Sequence, residues 1–207
     1  MNCKPIIVVA GEPYSIFLEI FFKTKKKCTF KKPIILIASK KLVYLQMKKL
    51  GFNFDLNLIN LDKLDLKSLK KNQINLIDVN FKFNKTFNKI SDKSNSYINK
   101  SFDIALKILK EENCSGLING PISKKYFLKG KSLGITEYLA KKTKNNNNVT
   151  MLIYNKKLSV SPITTHLALK DVHKKISKKK IYTHIKLITE FYKKNFNKKP
   201  KIAITGL

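Results

Sequence analysis

IIVVAGEPYSIFLEIFFK, Ile6–Lys23, decides how this chain folds. Ile6–Ala10 is a short β-branched apolar run with the length of a buried strand. Gly11 permits a sharp turn, and Tyr14–Lys23 carries a helical pattern. Strand, glycine turn and helix make one βα unit, a layout that often turns backbone N–H groups toward an anion. The stretch contains neither GxGxxG nor GxxxxGK[ST], so Gly11–Pro13 also reads as a plain βα connection.

The same alternation continues along the chain. Ile34–Ala38, Leu76–Val79, Gly116–Ile118, Val149–Tyr154, Leu158–Ile163 and Ile202–Thr205 read as further strands. Between them, Ile98, Phe102, Ala105 and Leu109 form one apolar helix stripe, and Ile181, Ile185, Ile188 and Tyr192 repeat the spacing. Strands alternating with helices predict an α/β fold with a mostly parallel sheet flanked by helices. Leu56–Ser94, rich in Asn, Lys and Asp, reads as a peripheral excursion, and Lys141–Asn148 as a low-complexity polar turn. Without an internal repeat or a clear linker, residues 1–207 read as one α/β region.

Composition narrows the function classes. The 207 residues carry a net charge of +30, with 43 basic against 13 acidic side chains. Such a balance invites a lysine-rich nucleic-acid-binding protein. Against it, every basic residue is lysine, and arginine is the side chain that forks onto phosphate and reads guanine edges. Lys, Asn, Ile, Phe and Tyr are products of A/T-rich codons, so the charge reads mainly as codon bias on a solvated surface, and nucleic acid is not the expected partner. No apolar run approaches the ~20 residues of a membrane helix, and no secretory leader is visible. Cys3, Cys28 and Cys114 are isolated, which points to a reducing, cytoplasmic setting.

Four segments could carry chemistry. Gly11–Pro13 is the first. In NGPISKK, Asn119–Lys125, Gly120 permits close backbone approach and Lys124 could meet an anionic substrate. In GITEYLAKKT, Gly134–Thr143, Thr136 is placed to start a helix, its hydroxyl serving as a cap or a ligand contact. In SPITTHLALKDV, Ser161–Val172, His166 follows a predicted strand, where imidazole is suited to metal or proton chemistry. His173 and His184 lie among lysines on helical faces expected to be exposed.

In this order, the segments resemble the 4-hydroxythreonine-4-phosphate dehydrogenase family of vitamin B6 biosynthesis. GEPYSIFLEI resembles its G-[DE]-P-A-G-I-G-P-E opening, INGPISKK its T-G-P-[IV]-x-K loop, and GITEYLA its G-H-T-E-[FY]-L-A motif. TTHLALKDV resembles T-T-H-[LI]-P-L-[RK]-D-[VI], and IAITGL the strand that leads into G-L-N-P-H-A-G-E. The resemblance implies a two-domain architecture like that of isocitrate and isopropylmalate dehydrogenases, and a homodimer. It implies NAD- (or NADP-) dependent oxidation and decarboxylation of 4-phosphohydroxy-L-threonine, yielding 3-amino-2-oxopropyl phosphate for pyridoxal 5'-phosphate. It also implies a divalent metal (Zn, Mg or Co) held by three histidines, with His166 matching the first. Thr136 matches a substrate-binding threonine, and Lys124 and Asp171 match loop residues.

Three departures stand out. Ile135 replaces the histidine of H-T-E at a substrate contact, Ser15 and Phe17 replace two glycines of the opening motif, and Leu207 precedes the remaining metal histidines. The expectation is an amino-terminal fragment, inactive alone. Ile135 also leaves open a sister dehydrogenase acting on a threonate or erythronate 4-phosphate, and a non-catalytic remnant is a third reading.

Overall fold

In the computed structural model, residues 4–111, 114–145, 148–165 and 167–206 are described. They fall into two compact units, Met1–Gly130 and Lys131–Leu207. The boundary is no Pro/Ser-rich linker but a tight turn in which Lys129 and Gly130 both take positive φ, 46° and 71°.

The first unit is built on a sheet of five strands: β1 (Ile6–Val9), β2 (Ile34–Ala38), β3 (Leu56–Leu58), β4 (Ile74–Asp78) and β5 (Gly116–Asn119). Their order is β3-β4-β2-β1-β5, and every pairing is parallel. Registers such as Val8↔Leu36 and Leu36↔Leu76 align side chains of like parity, so each face is apolar across the central strands. On one face, Val8, Leu36 and Leu76 pack with Leu18, Phe21 and Phe22 of α1 (Phe17–Lys27) and with Val43 and Met47 of α2 (Lys40–Lys49). Strand residues of the opposite parity, including Ile7, Ile35 and Ile37, are fully buried. Helix α3 (Asn95–Lys110) runs against β1, β2 and β5 with Ile98, Phe102, Ala105 and Ile108 buried.

Leu56–Ser94 is less peripheral than its polarity suggests. It contributes edge strand β3, strand β4 and the buried residues Ile59, Phe81 and Ser94. Polar Asn75 sits in β4 because its amide is fully bonded: it donates to the carbonyls of Ile34 and Lys70 and accepts from Lys70 N and Asn57 Nδ2.

The second unit holds α4 (Ile135–Lys142), α5 (Leu169–Val172) and α6 (Lys178–Phe196). The strands expected at Val149–Tyr154 and Leu158–Ile163 reduce to one antiparallel bridge, Ile153↔Val160, and Ile202–Thr205 forms no ladder among the described residues. An apolar run becomes a strand only when a neighbouring backbone satisfies its N–H and C=O groups. Among the described residues, the strand ladders belong wholly to the first unit. Helix α6 is tied to the bridged segment by Tyr192 Oη, which donates to Ser159 Oγ at 2.9 Å, and by the stacked rings of Tyr154 and Phe196.

Candidate functional site

Strand order places a switch point in the first unit. From β1 the chain moves to β2 on one side, and later returns to lay β5 on the other. Open α/β sheets bind ligands at the carboxyl ends of strands flanking such a point. The loops that leave β1 and β5 there are Gly11–Pro13 and Asn119–Lys125, two of the four segments singled out by their chemistry.

These loops are in direct contact. Gly120 N donates to Val9 O at 2.8 Å and Glu12 N to Pro121 O at 2.9 Å. Gly11, at φ +75°, faces Pro121 O so closely that a Cβ there would lie 2.5 Å from it. A Cβ on Gly120 would overlap the Ala10 carbonyl. Both glycines are therefore required by backbone-to-backbone packing, which is the demand that Gly11 and Gly120 signal in the sequence.

Glu12 is the residue whose role the sequence conceals. Its side chain is 2% exposed. Oε2 lies 2.9 Å from Ser94 Oγ, within hydrogen-bond distance, and Oε1 accepts from Ser123 N at 3.3 Å. Burial holds its carboxyl above the usual glutamate range, against the downward pull of the Ser94 and Ser123 hydrogen bonds. Neither partner is near in sequence, so spacing within GEP could not reveal them. Gln46 of α2 braces the same turn, with Nε2 donating to Pro13 O and Thr86 O at 3.0 Å each.

Lys124 is exposed at the start of a π-helical turn, Lys124–Leu128. Ser123 caps that turn by accepting from Tyr126 N at 3.1 Å, and Asn95 Nδ2 donates to Tyr126 O at 2.9 Å. Single π turns recur at functional sites, and this one fixes where the Lys124 backbone emerges.

In the second unit, Ile135 and Thr136 occupy the first turn of α4. The helix begins one residue earlier than a Thr136 cap would require. Gly134 is the N-cap, and no side chain closes it. The Thr136 hydroxyl is thus exposed rather than spent on capping, while Ile135 is half-buried. Asp171 in α5 accepts from Lys174 Nζ at 2.9 Å. His166 lies outside the described residues. Among the described residues, no three His, Cys, Asp or Glu side chains cluster into a metal site.

His173 is exposed, as its lysine-rich surroundings predict, but His184 is not. It is 8% exposed, and its Nδ1 lies 2.9 Å from Thr150 Oγ1. Thr150 Oγ1 is 3.1 Å from Ser161 Oγ, which donates to Met151 O at 2.7 Å. For each contact to hold a hydrogen, His184 must carry its own on Nδ1: Nδ1–H to Thr150, Thr150 to Ser161, Ser161 to Met151. Burial, and then Lys180, lower the His184 pKa.

Comparison with known proteins agrees with this layout. A family model described as "Pyridoxal phosphate biosynthetic protein PdxA" matches residues 29–207. A 4-hydroxythreonine-4-phosphate dehydrogenase from Sulfurihydrogenibium sp. is 32% identical over 206 residues, covering 98% of this chain and 62% of the relative. A Clostridium botulinum protein provisionally named as a D-threonate 4-phosphate dehydrogenase is 28% identical, covering 100% of this chain and 63% of its own length. The solved structure of a 4-hydroxythreonine-4-phosphate dehydrogenase from Klebsiella pneumoniae superposes with a TM-score of 0.77 at 21% identity, over 92% of this chain and 59% of that one. The chain thus spans about three fifths of the curated relatives it matches. By the family match over most of its length, and by a fold shared with solved members, this chain belongs to the PdxA family.

Proposed function

We propose that this chain serves in a 4-hydroxythreonine-4-phosphate dehydrogenase. The reaction is oxidation of the secondary hydroxyl of 4-phosphohydroxy-L-threonine by NAD (or NADP), followed by loss of carbon dioxide to give 3-amino-2-oxopropyl phosphate. The observation that carries this reading is the family match, whose span includes the Asn119–Lys125 loop and the Thr136 helix turn. The Lys124 ammonium attracts the anionic substrate, and the Thr136 hydroxyl hydrogen-bonds it. His166 is one ligand of a divalent ion (Zn, Mg or Co). Among the described residues, no three His, Cys, Asp or Glu side chains form a metal site, and the chain's own groups are what carry the reading here. The working enzyme is a cytoplasmic homodimer.

Ile135 supports a second reading. Isoleucine can neither donate a hydrogen bond nor carry charge, so the contact a histidine would make with the substrate's polar end is lost. D-threonate 4-phosphate, which bears a hydroxyl in place of the amino group, is the competing substrate suggested by the C. botulinum relative's name. The test is reduction of NAD by the protein expressed from the whole gene, with each substrate in turn. Turnover of 4-phosphohydroxy-L-threonine with the higher kcat/KM supports the first reading. Turnover of D-threonate 4-phosphate alone overturns it in favour of the second.

A further inference from the structure

The hydrogen count around Glu12 does not close with an ionised carboxylate. Ser94 has one hydroxyl hydrogen but lies 2.9 Å from Glu12 Oε2 and 2.9 Å from Ser91 O. Given to Oε2, that hydrogen leaves Ser91 O with only the Ser94 amide, at 3.5 Å. Given to Ser91 O, it leaves two bare oxygens facing each other in a buried space, an arrangement that costs the full desolvation penalty.

No side-chain cation neutralises an ionised Glu12; the one favourable charge beside it is the N-terminal end of α3, whose N-cap is Ser94. Among the described residues Glu12 forms no ion pair. On the segment leading into α3, Asp92 is engaged by Lys129 Nζ at 3.4 Å, and Lys93 makes no ion pair with Glu12. On the loop after β5, Lys125 Nζ sits 5.3 Å from the centre of the Tyr126 ring, and Lys124 is exposed and unpaired with Glu12. On Glu12's own turn, the titratable neighbour is Tyr14, whose pKa burial raises. A buried carboxylate without a cation is the costly case, and a bound proton removes the cost.

We propose that Glu12 is a neutral carboxylic acid whose proton on Oε2 latches the Asn119–Lys125 loop to the Gly11–Pro13 turn at the switch point. Every contact then carries one hydrogen. Glu12 O–H donates to Ser94 Oγ, Ser94 O–H donates to Ser91 O, and Ser123 N–H donates to Glu12 Oε1. Glu12 is in this sense a positioning residue, acting through Ser123 on the backbone that presents Lys124. Only the substrate role of Lys124 rests on the proposed function; the proton placement stands on geometry alone. Because the folded state holds a proton that the unfolded chain releases earlier, the latch is complete at low pH. It weakens as pH rises above the ordinary glutamate value of 4.5.

The test uses the 207-residue chain itself. NMR of side-chain-labelled glutamate follows the Glu12 carboxyl, and amide exchange at Ser123 and Tyr126, corrected for intrinsic rates, follows the loop. The expected result is a carboxyl that titrates above its ordinary value and loop protection that falls as it does. Glu12→Gln supplies a permanent N–H toward Ser94 and a carbonyl toward Ser123, so it keeps protection within about twofold of the low-pH level and removes the pH dependence. Glu12→Ala loses about tenfold or more. A carboxyl titrating at or below its ordinary value, or a Glu12→Gln loop as exposed as that of Glu12→Ala, overturns the proposal. If Glu12→Ala does not fold, the titration and the Glu12→Gln comparison decide. A failed dehydrogenase assay leaves these readouts untouched, so the two claims fail separately.

Discussion

Apolar side chains meet opposite fates in the two units. In the first, Phe22 and Phe102 are 0% exposed, beneath a sheet whose strands all have ladder partners. In the second, Leu158 and Leu169 stand 74% and 75% exposed, and the described residues form one isolated backbone bridge. Both units contain β-branched and aliphatic runs of strand length. For the runs of strand length, the difference lies in pairing. Periodicity reports what a segment could bury, and a ladder partner decides whether it does so.

Truncations should reproduce that contrast. Phe102→Ala should cost about 3–5 kcal/mol in denaturant unfolding, since it empties the space between α3 and the sheet. Leu158→Ala and Leu169→Ala should each stay within about 0.5 kcal/mol, having little buried area to lose. A comparable loss at Leu169 would break the comparison. Between these extremes, Gly120→Ala should cost about 1–3 kcal/mol, because its Cβ meets the Ala10 backbone rather than a movable side chain.

The smallest effect sharpens the comparison most, because the buried acid and base of the two units respond to pH with opposite sign. The folded-state pKa of His184 is depressed below its ordinary 6.5, so the unfolded chain binds the extra proton. Its contribution is present above that value and lost on acidification, whereas the Glu12 latch is lost on alkalinisation. Amide protection in α6 and around Thr150 should therefore fall at acid pH, and Thr150→Val should weaken it by about tenfold or less at neutral pH. Equal loss of protection in both units on acidification would contradict the assignment.

Much of the first unit was legible from residue pattern. β2 matches its predicted limits, β1 ends one residue early, and β5 one residue late. β1 and β2 are largely buried and rich in β-branched residues, and glycine turns follow β1 and β5. β3 was not legible, because Leu56–Leu58 is only three residues long, with polar Asn57 at its centre. Glu12 was read only as part of a turn. Its partner Ser94 lies 82 residues away, a distance no local pattern spans. His184 was read as exposed from its lysine neighbours, but burial of one helix face depends on what packs there, here the Thr150–Ser161 segment. Lys124, Ile135 and Thr136 were each reached as site candidates by motif order, and Gly134 as the α4 N-cap leaves the Thr136 hydroxyl outside a capping role.

The central claim concerns one histidine and one substrate. The most direct measurement is NADH formation from 4-phosphohydroxy-L-threonine by the protein expressed from the whole gene, together with its metal content. His166→Ala is compared with His173→Ala as a control. The account predicts turnover in the parent and in His173→Ala, with loss of bound metal and at least about a hundredfold fall in rate for His166→Ala. Full metal content and activity in His166→Ala, or no turnover in the parent, would contradict it.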